Sequence, residues 1–174
     1  RIAVYGTLAL AFATPAVTWQ VLFGERSTAK EHDQGDNGLW LRRHWLHGGT
    51  DTSAERLSLA LQALGVKRIY PFLGPMDGEG WPGWRDDQGL ATRYDPAVAA
   101  TFFDQMARAA PGVVVLPWTG GVLRRDVRLE DEAQRAGFAA HTAQLTALGA
   151  GGVHVNVEPL PDGSRAYLEL YIHV

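Results

Sequence analysis

The chain has 174 residues, a net charge of −3 and 46% hydrophobic residues, the proportions of one ordinary globular domain. That charge provides no basic field for nucleic acid, and the absence of cysteine excludes disulfides, thiolate metal sites and cysteine nucleophiles. Six tryptophans, five tyrosines and six phenylalanines are a generous aromatic supply. Several of the tryptophans stand beside Gly or Pro in predicted loops, where such rings either meet a ligand or cover hydrophobic edges.

In chain order, residues 2–23 come first: they carry no charge and are rich in Ala, Leu, Val and Thr. A membrane span needs about 20 mostly apolar residues, so the stretch is long enough for an anchor. Ala11-Phe12-Ala13 also offers a small-residue cleavage site. We therefore expect a signal peptide or membrane anchor over residues 1–24, in the form of an N-terminal hydrophobic helix, and an extracytoplasmic location, membrane-anchored or secreted. A buried helix or strand is the alternative. The chain opens on Arg1 rather than Met, which predicts further residues upstream. Residues 25–37 are charged and contain Gly, and read as a linker before a domain over residues 38–174.

From Gly38 the pattern alternates strand and helix at intervals that suit βα units. Gly38 to Leu46 is the first predicted strand. Thr52 to Leu64 is an amphipathic helix with Ser53 near its start, closed by Gly65, and Val66 to Leu73 is the second strand. A long loop, Gly74 to Tyr94, carries Trp81, Trp84, Asp77, Glu79, Asp86 and Asp87. Those acidic residues read as solvated, with no catalytic role. The next helix runs from Asp95, a plausible N-cap, with Pro96 in its first turn, to Ala110. Val113 to Leu116 is a continuous apolar run, as in a strand buried on both faces. Glu130 to Leu148 is a third helix, and a last one starts near Ser164.

Between those two helices lies the most informative stretch, Gly151-Gly152-Val153-His154-Val155-Asn156-Val157-Glu158-Pro159. Strand side chains alternate, so the valines face one way and His154, Asn156 and Glu158 the other. Pro159 ends the ladder, which puts Glu158 at a mouth. Barrel enzymes keep their chemistry at the C-terminal ends of strands. Four strands with three complete helices make about half of an eight-stranded (β/α)8 barrel, so the expected fold is α/β, the first four βα units of a TIM barrel. Such a half-barrel must pair with a missing C-terminal half. A four-stranded open α/β sheet is the alternative.

These residues resemble the family 18 glycoside hydrolases, the chitinase-like barrels. The family's fourth strand ends in Asp-Gly-x-Asp-x-Asp-x-Glu; here Gly152, Val153, Val155, Asn156 and Glu158 align with its Gly, its apolar positions, its last Asp and its Glu. Gly151 and His154 replace the first two Asp residues. The third strand's Ser-x-Gly-Gly is matched by Trp118-Thr119-Gly120-Gly121, with Trp118 for the serine, and Tyr70-Pro71-Phe72 is similar to the aromatic-containing second strand. The resemblance implies an oligo- or polysaccharide substrate with β-linked amino sugars, Glu158 as general acid and the substrate's acetamido oxygen as nucleophile. Asn156 is placed to hydrogen-bond that acetamide or the acid. Trp118, Trp81 and Trp84 are candidates for stacking on sugar faces, with Tyr70 and His154 as further substrate-binding candidates. His154 is alternatively a satisfied core histidine. A barrel that binds carbohydrate without cleaving it, or an unrelated α/β barrel enzyme, are the other functions that fit.

No cofactor and no metal are expected. His44 and His47 lie three apart on the first predicted strand and so face opposite sides, which argues against a site shared with Glu158. No Walker, dinucleotide or Gly-x-Ser-x-Gly motif is present.

Overall fold

The computed structural model describes residues 36–49, 52–85 and 91–172. The apolar N-terminal segment and nearly all of the linker lie outside the described residues, as do Asp86 and Asp87. Among the described residues no helix is long and apolar enough to cross a membrane.

The core of the domain is a parallel sheet whose strands follow one another in sequence order. Strand β1 (Asn37–Leu41) is followed by a single helical turn, α1 (His44–His47), and by α2 (Ala54–Ala63). Strand β2 (Val66–Pro75) leads through a small antiparallel hairpin, β3 (Gly83–Arg85) and β4 (Ala91–Arg93), into α3 (Pro96–Ala109). Then come β5 (Val114–Val115), β6 (Trp118–Val122), α4 (Glu132–Ala147), β7 (His154–Glu158) and α5 (Arg165–Ile172). β1 pairs with β2, β2 with both β5 and β6, and β6 with β7, every pair parallel. Each parallel step is crossed by helix, and the order has no reversal of the kind that marks a doubly wound sheet. This is the arrangement of the first four βα units of a (β/α) barrel, β5 and β6 together filling the third position.

Local chemistry explains the helices. Ser53 accepts a hydrogen bond from Arg56 N at 3.3 Å to start α2, which buries Leu57 and Leu61 and stops at Gly65, φ +65°. Asp95 accepts from Ala97 N at 2.8 Å, with Pro96 in the first turn of α3, and Phe102, Phe103 and Met106 then face the sheet. Asp95→Ala is expected to lower stability by about 1 kcal/mol, seen as an earlier urea midpoint at an unchanged slope.

The helices cover one face of the sheet in two clusters. Ile69 and Leu73 of β2 meet Leu46, Leu61, Phe102 and Met106, while Val155 and Val157 of β7 meet Phe138 of α4 and Leu170 of α5. The alternate residues, Trp40, Tyr70, Phe72, Trp118, His154 and Asn156, therefore share the opposite face.

Three expectations are corrected. The first strand stops at Leu41, and the chain coils so that Leu46 is fully buried and His47 Nε2 donates to the Leu73 carbonyl at 2.9 Å. His44 and His47 thus lie one helical turn apart, on the same side rather than on opposite sides. The apolar run after Gly112 is not buried on both faces: Val114 is 42% exposed. Pro117 has no N–H to donate, and it divides that strand into β5 and β6. The loop after β2 begins only after Pro75 and contains the β3–β4 hairpin.

Candidate functional site

A cavity of about 290 Å³ opens where β2, β6 and β7 end. Phe72 and Pro75 border it on one side, Asn156 and Glu158 on the other, with Trp118 and the glycines of β6 between them. Glu158 is the last residue of β7 and exposed; Asn156, two residues earlier on the same face, is half-buried. The strands hold these side chains in register, with Gly120 opposite Asn156 and Val122 opposite Glu158. Beyond the pairing, Leu123 N donates to the Glu158 carbonyl at 3.0 Å, which ties the carboxylate's backbone to the next turn.

The two glycines of β6 make this approach possible. A Cβ on Gly120 would stand 1.7 Å from the Asn156 carbonyl oxygen, and the residue has φ +151°. A Cβ on Gly121, φ +137°, would stand 2.6 Å from the Asp126 Cβ. Only glycine accepts both the backbone angle and the contact.

Asp126 is the residue that sequence reasoning missed. It lies in the turn after β6, lines the cavity, and accepts from Val122 N at 2.9 Å. Arg125 grips the same carboxylate, Nε at 3.1 Å and Nη2 at 2.8 Å, and the carboxylate raises the guanidinium pKa in return. The available signal was a charged triplet, Arg124-Arg125-Asp126, separated by only Val122 and Leu123 from the paired glycines near a strand's C-terminal end.

Below the cavity, the exposed face of the sheet is aromatic from strand to strand. Trp40 stacks on Tyr70 with centroids 4.8 Å apart, Phe72 lies 4.1 Å from Trp118, and His154 meets both Trp40 and Tyr70 edge-on. Burial lowers the His154 pKa, which keeps the ring neutral and suits its packing among aromatics. Trp40, unremarked in the sequence, is 53% exposed at the β1 edge of this surface.

No family model matches the chain, and no curated protein matches it. Among solved structures it is similar to the family GH18 chitinase from Cycas revoluta, determined in complex with allosamidin, with a TM-score of 0.49 and 14% identity. The match covers 78% of this chain and 37% of that one, so the chain spans little more than a third of that chitinase's length. The similarity concerns the fold and assigns no role to any residue.

The remaining candidates lie elsewhere. Trp81 is not at the cavity: it is half-buried against Tyr94 and His141, with the Arg93 guanidinium 4.7 Å above its ring. It closes the hydrophobic edge over α4 rather than offering a face to a sugar. Trp84 falls on β3, and its side chain lies outside the described residues. Asp77 binds the Glu79 and Trp81 N–H groups and Arg93, a structural use that replaces free solvation. Among the described residues no three His, Cys, Asp or Glu side chains gather as metal ligands. A second cavity, about 310 Å³ between α1 and α3, is lined mainly by apolar groups with His44, Gln105 and two threonines, and holds no carboxylate.

His141 of α4 sits under Trp81, 2% exposed, with both ring nitrogens buried and without a hydrogen-bond partner. Desolvation pushes its pKa down to about 4, against the opposing pull of Asp77. The unfolded chain protonates this ring near pH 6.5, so between 6.5 and 4 the unfolded state binds more protons. Stability is therefore expected to fall as pH drops through that window, by up to about 3 kcal/mol from this group. Denaturant unfolding at pH 7 and pH 4.5 checks it, and His141→Leu is expected to flatten the difference. An equally steep loss in the variant would assign the acid sensitivity to other groups.

Proposed function

We propose that the cleft at the ends of β2, β6 and β7 belongs to a glycoside hydrolase that cleaves β-linked amino-sugar glycans such as chitin or peptidoglycan strands. The observation that supports this reading is the exposed Glu158 carboxylate at the end of a parallel strand, opening into a cavity with Asn156 beside it and an aromatic surface beneath. Aromatic faces stack on the apolar faces of sugars, and a carboxylic acid at the rim supplies the proton that a glycosidic oxygen needs to leave.

In this reading Glu158 protonates the leaving oxygen as the substrate's acetamido oxygen bonds to the anomeric carbon. Water then opens the resulting ring, and the Glu158 carboxylate accepts that water's proton. Asn156 hydrogen-bonds the acetamide and holds it in line. Trp118 is the stacking candidate that borders the cavity, with Tyr70 and His154 in the adjoining aromatic surface. The uncharged residues 2–23 fit an enzyme exported to meet polymeric glycan, anchored in the membrane or secreted.

A non-catalytic, carbohydrate-binding barrel is the second reading. It is favoured by His154 and Gly151, neither of them acidic, the first of which is packed among aromatic rings. One experiment separates the two: turnover and binding of chito-oligosaccharides and muramyl glycosides by the full-length protein, wild type beside Glu158→Gln. Turnover lost with binding kept supports the hydrolase; binding without any turnover supports the lectin-like barrel; neither activity removes both.

A further inference from the structure

A glycosidase site needs more than an acid. As the bond breaks, positive charge grows on the sugar ring or on the acetamido group that attacks it, and a fixed negative charge nearby lowers that barrier. Glu158 cannot supply it at that moment, because an acid about to give its proton is neutral. Asn156 hydrogen-bonds but carries no charge.

We propose that Asp126 is the second carboxylate of the site, the anionic residue that faces the developing positive charge; this role rests on the glycosidase reading of the cleft. Among the described residues that line the cavity, the carboxylates are Glu158 and Asp126. Val122 ties them together: its N–H bonds the Asp126 carboxylate at 2.9 Å, and it is the register partner of Glu158 on the neighbouring strand. Leu123 N points across to the Glu158 carbonyl and Val122 N, one residue earlier, points the other way, so the Asp126 carboxylate lies at the cavity rim on the side of β6 away from β7.

The surroundings suit a charge that stays in place. The Asp126 side chain is only 16% exposed, whereas Arg125, which holds it, is 71% exposed. Arg125 borders the same cavity, so the pair presents both signs there; the carboxylate is the shielded, fixed member and the guanidinium the one that water screens. Three N–H donors, from Val122 and Arg125, fix its orientation before substrate arrives. Those same bonds make it a poor base and a poor nucleophile. Asp126 forms no bond to the sugar and moves no proton; it acts by electrostatics alone. The missing side chain of Gly121 leaves the space in which it lies.

The test compares wild type, Glu158→Gln, Asp126→Asn and Asp126→Glu in the full-length protein, with chito-oligosaccharides as substrate and the melting temperature measured for each. Asn keeps the acceptor for Val122 N and removes the charge; Glu restores the charge. Asp126→Asn is expected to lower kcat by about 100-fold to 1,000-fold with KM and melting temperature little changed, and Asp126→Glu to recover at least about tenfold of that loss. Asp126→Asn at the wild-type rate, beside an inactive Glu158→Gln, overturns the role and keeps the glycosidase. Equal loss in Asp126→Asn and Asp126→Glu, or loss that follows the melting temperature, overturns it too, since charge would not be what matters. A wild-type protein without turnover, or turnover indifferent to Glu158→Gln, overturns the glycosidase reading and this role with it.

Discussion

Glu158→Gln is expected to lower turnover of an unactivated chito-oligosaccharide by about a thousandfold or more while leaving its affinity within a few-fold of wild type. Gln has nearly the size of Glu and still hydrogen-bonds the glycosidic oxygen, but it has no proton acidic enough to transfer. The ground-state contact survives and the transition-state contact is lost, so kcat falls at an unchanged KM. The leaving group provides an internal check. A sugar alcohol needs its oxygen protonated as it departs, whereas an aryl group such as methylumbelliferone leaves as an anion with little help. The loss is therefore expected to be much smaller on the fluorogenic aryl glycoside than on the natural linkage. Equal losses on both would mean that Glu158 acts through charge or position rather than as an acid. The exposed position of Glu158 at the strand end makes the substitution a clean one, since no packed core depends on it.

Gly120→Ala is expected to destabilise the domain by about 4 kcal/mol and to abolish glycan binding with it. Its Cβ would lie 1.7 Å from the Asn156 carbonyl oxygen, 2.5 Å from the carbonyl carbon and 2.9 Å from the Asn156 nitrogen. All three atoms belong to the backbone of the paired strand, so no flexible side chain can swing aside to make room. β6 and β7 would have to part along the register that runs from Trp118 and His154 to Val122 and Glu158. The positive φ of Gly120 adds strain of its own. Gly112→Ala is the control: nothing lies within 4 Å of its added methyl, and its stability is expected to stay within about 0.5 kcal/mol of wild type. A Gly120→Ala melt that matches this control would show that the two strands are held less closely than their register implies.

Much of the chemistry along β7 was legible because period-two alternation is a local property. Val155 and Val157 pack against α4 and α5, and Asn156 and Glu158 point the other way, as their spacing required. The caps Ser53 and Asp95 were legible for the same reason: a helix N-terminus is satisfied by a side chain within three residues of it. The turn at His44–His47 was not. Its apolar residues suit a strand as well as a helix, and what decides between them is the burial of Leu46 among residues from α2 and α3, distant in sequence. The tryptophans were decided by distant packing too: Trp81, expected in an open loop, packs against His141, and Trp40, for which no role was read, is left open at a sheet edge.

By itself, then, the sequence determined the alternation along β7, where the helices capped by Ser53 and Asp95 start, and that a carboxylate would stand at the end of the last strand, because each follows from neighbours a few bonds away. Only the tertiary structure decided that Asp126 reaches the cavity and that Gly120 meets the Asn156 backbone. It also decided that Trp81 serves the fold rather than the cleft. Those facts depend on which strands lie side by side and how closely, and that spacing is set by packing between segments far apart in the chain.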